Sequence, residues 1–273
     1  MSRPDLDALV AIALDAGAAI LRIYAKLQPG DAKAKGDGSP VTEADTQAEA
    51  IILAGLAKTT PQIAVVAEES VAAGRIPETQ GQPFFLVDPL DGTKEFISKN
   101  GDFTVNIALI EEGVPVLGVV YAPAIGELYT GVIGAGARQA KVVDGVVGAW
   151  QPICARTAPA DGVKVIASRS HLSDETKAFI DKFQASDFVS AGSSLKFCRV
   201  AAGQADLYPR LARTMEWDTA AADAVLRAAG GMVMTMDGQP LRYGKRNQAS
   251  DTDFANPWFV AAGDWDPFAV AGV

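Results

Sequence analysis

Phe84-Phe-Leu-Val-Asp-Pro-Leu-Asp-Gly-Thr93 ends an apolar run in two aspartates three positions apart, divided by a proline and followed by Gly-Thr. An apolar strand here puts Asp88 at its carboxyl end. Pro89, lacking an N–H, breaks the ladder so that Asp91 folds back beside Asp88, and Gly92 and Thr93 open a turn whose N–H groups point at an anion. Taken alone, the same residues also describe a surface turn. A second acidic pair, Glu68 and Glu69, closes the apolar run Ile63–Ala67, and Asp218 follows Trp217 at the head of an alanine-rich helical stretch. By itself Asp218 reads as an N-cap, with Glu216 adding negative charge that suits the helix dipole. That reading explains one residue and not the set. If Glu68, Asp88, Asp91 and Asp218 converge, carboxylates about 5 Å apart repel by roughly 3 kcal/mol at an effective dielectric near 20, and cations must occupy the cluster. Oxygen ligands without histidine or thiolate select hard ions, Mg²⁺ foremost. Two Mg²⁺ balance four carboxylates and accept a phosphate dianion, supply a hydroxide and stabilise the leaving oxygen, so the chemistry expected is phosphoryl hydrolysis.

The rest of the chain limits the alternatives. Its 273 residues, 49% hydrophobic and 21% charged, suit a soluble globular protein of one large domain or two joined lobes. With 24 basic against 33 acidic residues and a net charge of -9, no broad electropositive face for a nucleic-acid backbone is expected. One histidine, His171, and two cysteines without C-x-x-C spacing, Cys154 and Cys198, argue against zinc and disulfide frameworks. The N-terminus is amphipathic (Leu6, Leu9, Val10, Ala13, Ile20, Leu21, Tyr24) rather than continuously apolar, and no segment is long enough to cross a bilayer. The expected location is cytoplasmic, with peripheral association at the inner membrane left open. Asp88 and Asp91 are one residue too far apart for D-x-D, Leu90 stands where an EF-hand needs an oxygen ligand, and Gly131-Val-Ile-Gly-Ala-Gly136 lacks the third glycine of a dinucleotide fingerprint and reads as a turn.

The elements that must position these residues follow from periodicity. A first helix is followed by a loop over Lys33–Pro40 and a second helix from Thr42 through Ile51, Ile52 and Leu56. Strands are expected at Ile63–Ala67, Phe84–Val87, Thr104–Ile110, Val114–Tyr121 and Glu127–Val132, the last three as an antiparallel meander. From Val163 the pattern alternates: strands Val163–Ala167, Phe188–Ala191 and Ala205–Tyr208 with helices Ser173–Gln184, Ser194–Ala202 and Asp218–Ala229. The expected organisation is an α+β lobe over residues 1–150, carrying most of the candidate ligands, and an α/β lobe over 151–273, joined in one compact unit.

Glu68-Glu-Ser, Asp88-Pro-Leu-Asp-Gly-Thr93 and Trp217-Asp-Thr-Ala-Ala221, in this order and at these separations, resemble the inositol monophosphatase superfamily of Mg²⁺-dependent, lithium-sensitive phosphatases. Gly101-Asp-Phe-Thr-Val-Asn-Ile-Ala-Leu109, Gly192-Ser-Ser-Leu-Lys-Phe-Cys198 and Leu207-Tyr-Pro-Arg210 are similar to its CysQ branch, the 3'(2'),5'-bisphosphate nucleotidases. The resemblance covers nearly the whole chain and implies a layered α-β-α-β-α sandwich. It implies that Glu68, Asp88 and the Leu90 carbonyl hold one Mg²⁺, that Asp88, Asp91 and Asp218 hold a second, and that a weaker third uses Glu68. Thr93, hydrogen-bonded to Asp45, would activate the attacking water, while the N–H groups of Gly92 and Thr93 hold the scissile phosphate. Attack would be in line, without a covalent phosphoenzyme. By the same similarity Ser168, His171, Gly192 and Lys196 contact the nucleotide and its second phosphate, and Arg210 suits that phosphate better than a polyol.

Several of these residues carry a second reading. Thr42-x-x-Asp45 is also a capping box, Lys196 also a solvated helix residue and His171 also a surface or capping residue. Glu69 reads as support for its neighbour. The Val71–Gly74 stretch looks more like the inositol enzymes, which place a glutamate shortly before the W-D motif, and Glu216 lies close enough to serve there. The expected substrate is 3'-phosphoadenosine 5'-phosphate, in sulfate assimilation or nucleotide salvage. Inositol monophosphate and fructose 1,6-bisphosphate are alternatives within the same chemistry. The contrasting class is a metal- and nucleotide-sensing binding protein without turnover. A homodimer is the only protein partnership allowed for.

Overall fold

The computed structural model describes residues 4–28, 33–34, 40–157, 162–167, 173–183 and 185–271. The first half contains α1 (Leu6–Tyr24), β1 (Lys33–Ala34), β2 (Pro40–Val41), α2 (Glu43–Thr59), β3 (Ala64–Ala67), α3 (Glu68–Ala72), β4 (Phe84–Asp91), α4 (Thr93–Ile97), β5 (Thr104–Glu111), β6 (Val114–Ala122), β7 (Glu127–Val132), β8 (Gly136–Val143) and β9 (Val146–Val147). It continues with β10 (Gln151–Ile153), β11 (Val163–Ala167), α5 (Asp174–Ile180), β12 (Ala185–Ser190), α6 (Leu195–Ala201), β13 (Leu207–Arg210), α7 (Ala220–Ala228), β14 (Met232–Thr235), β15 (Phe259–Ala262) and α8 (Pro267–Ala271).

The strands form one sheet in the order β10-β8-β7-β6-β5-β4-β3 and a second in the order β12-β11-β13-β15-β14. Strand alternation decides the layering, because successive side chains leave opposite faces of a sheet. In β4, Phe85 and Val87 pack with Leu9, Ile20, Ile52 and Leu56 of α1 and α2. Phe84 and Leu86 pack instead with Phe197 and Val225 of α6 and α7, and the same cluster takes Tyr208, Phe259 and Ala261 from the second sheet. Leu207, Val260 and Ala262 leave that sheet's other face and meet Phe179, Ile180 and Phe268. The result is α1/α2, sheet, α6/α7, sheet, α5/α8: the layered α-β-α-β-α sandwich. Among the described residues no helix is long and apolar enough to cross a membrane.

Four local expectations are corrected. Lys33–Ala34 pairs with Pro40–Val41 rather than forming only loop. Pro89 does not end its strand, since β4 runs to Asp91 through a bulge. The strands β8 to β10 and the antiparallel pair β14–β15 escape the sequence reading because their apolar runs are brief or broken by polar residues, as in Gly-Ala-Arg-Gln-Ala-Lys-Val-Val143 of β8. The last long helix starts after Thr219, so Asp218 is not its cap.

That helix is held close to the first sheet by a pair of glycines. Gly118 and Gly131 face each other across β6 and β7. A Cβ at Gly118 would lie 2.0 Å from the Ala221 carbonyl oxygen, and one at Gly131 would lie 2.5 Å from Val225 Cα. Both obstacles are backbone, so a methyl group cannot be accommodated by a rotamer change. Gly131→Ala is expected to cost about 1–3 kcal/mol through overpacking, seen as a lower urea midpoint with an unchanged m-value. A midpoint equal to that of the unsubstituted protein would show that the helix is not confined there.

Candidate active site

Parallel pairing brings the first two carboxylates together. Ala67 of β3 is in register with Val87 of β4, so Glu68 and Asp88 emerge side by side at the same sheet edge. In a regular strand Asp88 and Asp91 would point to opposite faces. The register shifts between them, Asp88 opposing Asn106 and Asp91 opposing Thr104, and this one extra residue returns Asp91 to the side of Asp88. Asp88 Oδ1 accepts the Leu90 N–H at 2.9 Å, which holds the bulge closed. Asp218 reaches the same point from the loop before α7, where its Oδ2 accepts the Met215 N–H at 2.8 Å.

One carboxylate oxygen from each of Asp88, Asp91 and Asp218 lies within 4.8 Å of the others. Glu68 lines the same cleft and is close enough to Asp88 to raise its pKa. Burial first, then the charges of Glu68, Asp91 and Asp218, push the Asp88 carboxyl well above the usual carboxylate range. Burial, then Asp91 and Glu68, do the same to Asp218. A crowded set of all-oxygen donors, Asp88 buried and Asp91 and Asp218 half-buried, fits a hard divalent cation, which would relieve the repulsion that protonation otherwise relieves.

The Thr93 hydroxyl, at the start of α4, lies 3.2 Å from Asp45 Oδ1 and 3.4 Å from the Leu90 carbonyl. Asp45 serves both of the roles that its sequence pattern allowed. Its Oδ2 accepts the Thr42 N–H at 2.8 Å and the Thr42 hydroxyl at 2.7 Å, completing the capping box of α2, while Oδ1 faces Thr93. Gly92 has φ +92°, and a Cβ there would lie 3.1 Å from the Asp102 carbonyl oxygen, so the turn into α4 requires glycine.

Lys196 and Arg210 line the cleft together with Tyr208, Arg213 and Thr214. The cavity measures about 360 Å³. Lys196 is buried, not a solvated helix residue. Its ammonium donates to the Ser193 carbonyl at 2.7 Å and sits 5.4 Å from the Tyr208 ring centroid, and burial holds its pKa down to about 8. Arg210 has its Nε buried without a hydrogen-bond partner among the described residues. Gly192 stands apart from the cleft lining: its N–H donates to Asp102 Oδ2 at 2.9 Å, and a Cβ would strike Asp102 at 2.7 Å. Ser168 and His171 lie outside the described residues. Glu216 is buried and turned from the cleft, accepting the N–H groups of Gly244 and Lys245 and pairing with the Lys245 ammonium at 2.7 Å.

Sequence reasoning missed two supports. Glu49, one turn after Asp45 on the buried face of α2, accepts the Glu69 N–H at 2.8 Å and the Ser70 hydroxyl at 2.7 Å, thereby fixing the start of α3 and Glu68 with it. Its signal was an acidic residue four positions from Asp45 on an otherwise apolar face. Ser193 and Ser194 both bond Asp91 Oδ2, a contact between segments about a hundred residues apart that no local pattern announces.

The chain is similar to known proteins along nearly its whole length. The profile of the Inositol monophosphatase family matches residues 1–262. The 3'(2'),5'-bisphosphate nucleotidase CysQ of Escherichia coli strain K12 is 42% identical over 259 residues, covering 93% of this chain and 98% of that protein. The protein of the same name from Buchnera aphidicola is 39% identical over 260 residues, covering 95% and 94%. The crystal structure of CysQ from Bacteroides thetaiotaomicron, a bacterial member of the inositol monophosphatase family, superposes with a TM-score of 0.78 at 40% identity, covering 95% of this chain and 97% of that one.

Proposed function

This chain belongs to the inositol monophosphatase family, and from that membership we propose that it is a metal-dependent phosphatase of the 3'(2'),5'-bisphosphate nucleotidase type, releasing the 3'-phosphate of 3'-phosphoadenosine 5'-phosphate to leave AMP. The observation that carries the reading is one cleft in which Asp91 and Asp218, converging with Asp88, are brought together with the cations Lys196 and Arg210. The carboxylates suit divalent ions and the cations suit a second phosphate. In a chain of net charge -9, such a group of cations has to be gathered locally.

The cofactor proposed is Mg²⁺, two ions per site with a weaker third. Glu68, Asp88 and the Leu90 carbonyl would hold one, Asp88, Asp91 and Asp218 the second, and Glu68 would contribute to the third. Bound there, Mg²⁺ supplies charge neutralisation at the phosphoryl group and a lowered pKa for its water. The chain's own groups do the rest. Thr93, its hydroxyl proton directed to Asp45, orients the attacking water through its oxygen lone pairs, and Asp45 stands behind it to take up the proton. The N–H groups of Gly92 and Thr93 hold the scissile phosphate, and the Arg210 guanidinium, its buried Nε unpartnered among the described residues, suits the other. Gly192 acts through the loop it anchors, while Ser168 and His171 remain part of the proposed nucleotide contact. A cytoplasmic location belongs to the same proposal, supported by two unpaired cysteines, Cys154 and Cys198. Inositol 1-phosphate is disfavoured as substrate because Glu216 is committed to Gly244 and Lys245 and offers the cleft no acceptor for sugar hydroxyls.

A side-by-side rate comparison on 3'-phosphoadenosine 5'-phosphate, inositol 1-phosphate and fructose 1,6-bisphosphate, with Mg²⁺ and with or without Li⁺, tests the proposal. The nucleotide is expected to be preferred and Li⁺ to inhibit. No turnover on any of the three would leave only a binding protein. Lys196→Ala is expected to raise KM for the bisphosphate about tenfold or more while affecting monophosphates less, in line with the loss of a charged hydrogen bond. Equal losses on both would remove Lys196 from the substrate site.

A further inference from the structure

One oxygen of Asp91 is held by several donors from a distant segment. Its Oδ2 lies within hydrogen-bond distance of the Ser193 hydroxyl at 2.5 Å, the Ser194 N–H at 2.7 Å and the Ser194 hydroxyl at 3.0 Å. Each hydroxyl carries one proton, so the donors can be apportioned. The Ser194 hydroxyl is closer to the Asp218 carbonyl, at 2.6 Å, and accepts from Asn106 Nδ2 at 2.9 Å, so its proton goes to Asp218. The Ser193 hydroxyl also meets Thr104 Oγ1 at 2.6 Å, and Thr104 is the residue opposite Asp91 across the β4–β5 ladder. With Thr104 donating to Ser193 and Ser193 donating to Asp91, every proton is used and Asp91 Oδ2 receives two strong donors.

Ser193 makes this contact from a backbone conformation that a serine adopts at a cost. Its φ is +51°, in the left-handed region. Glycine would relieve the backbone but would carry no hydroxyl. The Lys196 ammonium, bound to the Ser193 carbonyl, pins the same residue from the other side.

We propose that Ser193 is a positioning residue for the metal site. It orders Asp91 by occupying Oδ2, so that coordination of the cation falls to Oδ1, and the left-handed backbone is retained to aim its hydroxyl. This inference rests on the metal-site reading above and deepens it. It also gives the second half of the chain a task at the metal site besides supplying Asp218, since the loop between β12 and α6 then holds a ligand that belongs to β4.

The test compares the unsubstituted protein with Ser193→Ala and Ser193→Gly, using Mg²⁺ titration calorimetry on metal-free protein and thermal melting without metal. Both variants lose the hydroxyl, and both are expected to bind Mg²⁺ about tenfold more weakly or worse, the usual scale for removing a group that orients a ligand. Their melting temperatures should separate: Ser193→Gly at or above the unsubstituted protein, because its backbone strain is relieved, and Ser193→Ala below it. Raising Mg²⁺ is expected to restore kcat in both. Unchanged Mg²⁺ affinity in Ser193→Gly, or affinities that follow the melting temperatures, would overturn the assignment by showing that the backbone alone matters. Absence of Mg²⁺ binding in the unsubstituted protein would overturn the metal-site reading itself, and this inference with it, and is recognisable because all three titrations would be flat.

Discussion

Asp218→Asn is expected to lower kcat by about a thousandfold at moderate Mg²⁺, equivalent to about 4 kcal/mol of transition-state stabilisation, while leaving the metal-free protein at least as stable as before. The two halves of this expectation have one cause. Asp218 is half-buried beside Asp91 and Glu68, so its negative charge is unfavourable without a cation and useful with one. Asparagine keeps an oxygen that can accept the Met215 N–H, which preserves the loop ahead of α7, but it removes the charge. Relief of repulsion therefore offsets what is lost. Steady-state kinetics over a Mg²⁺ series and melting in a chelator check both parts. Wild-type rates in the variant at low Mg²⁺ would remove Asp218 from the site, and a large loss of metal-free stability would make its role structural.

Without metal, melting temperature is expected to fall as pH rises from about 5 to about 7.5, and Mg²⁺ is expected to reverse the fall. Asp88 and Asp218 have folded-state pKa values above those of the unfolded chain. Between the two values the folded protein holds more protons than the unfolded one. These carboxyls therefore favour the folded state at low pH and cease to do so as pH climbs through their raised pKa. Mg²⁺ takes the place of the protons, so its effect should be larger at the higher pH. Saturation about a hundredfold above Kd corresponds to about 2.7 kcal/mol, or a rise of roughly 5–10 °C. The window above about pH 5 avoids Glu127, whose carboxyl is held low despite its burial by Lys141 and Arg199 and whose contribution is lost only in more acid solution. Asp223 is also raised by burial, but it is paired with Arg227 away from the cluster, so only the Mg²⁺-dependent part of the change reports the site. A Mg²⁺ shift that is the same at both pH values would contradict the coupling.

The positions of Glu68 after one strand, Asp91 at the end of another and Asp218 near the start of a helix were legible in the linear chain, because an apolar run that stops at an acidic residue marks where buried backbone meets a cleft. So were Thr93 and the capping pattern at Asp45, whereas the layered sandwich followed from the resemblance to a known family and not from periodicity. The bulge at Pro89-Leu90 was not legible. A proline between two aspartates is compatible with a broken strand or a bulged one, and only the pairing with Thr104 and Asn106 chooses between them.

Charge and spacing could nominate Lys196, Glu216 and the Gly192-Ser-Ser194 segment but could not say what each would touch. Lys196 is buried because α6 lies between two sheets, Glu216 is withdrawn because a loop nearly thirty residues later offers it two N–H groups, and Ser193 meets Asp91 because the sheets stack. Local sequence determines which residues can do chemistry and on which face of an element they stand, since periodicity and turn chemistry act over a few residues. Tertiary structure decides which of them meet, because a contact across about a hundred residues depends on how whole layers pack and leaves no periodic trace in the chain.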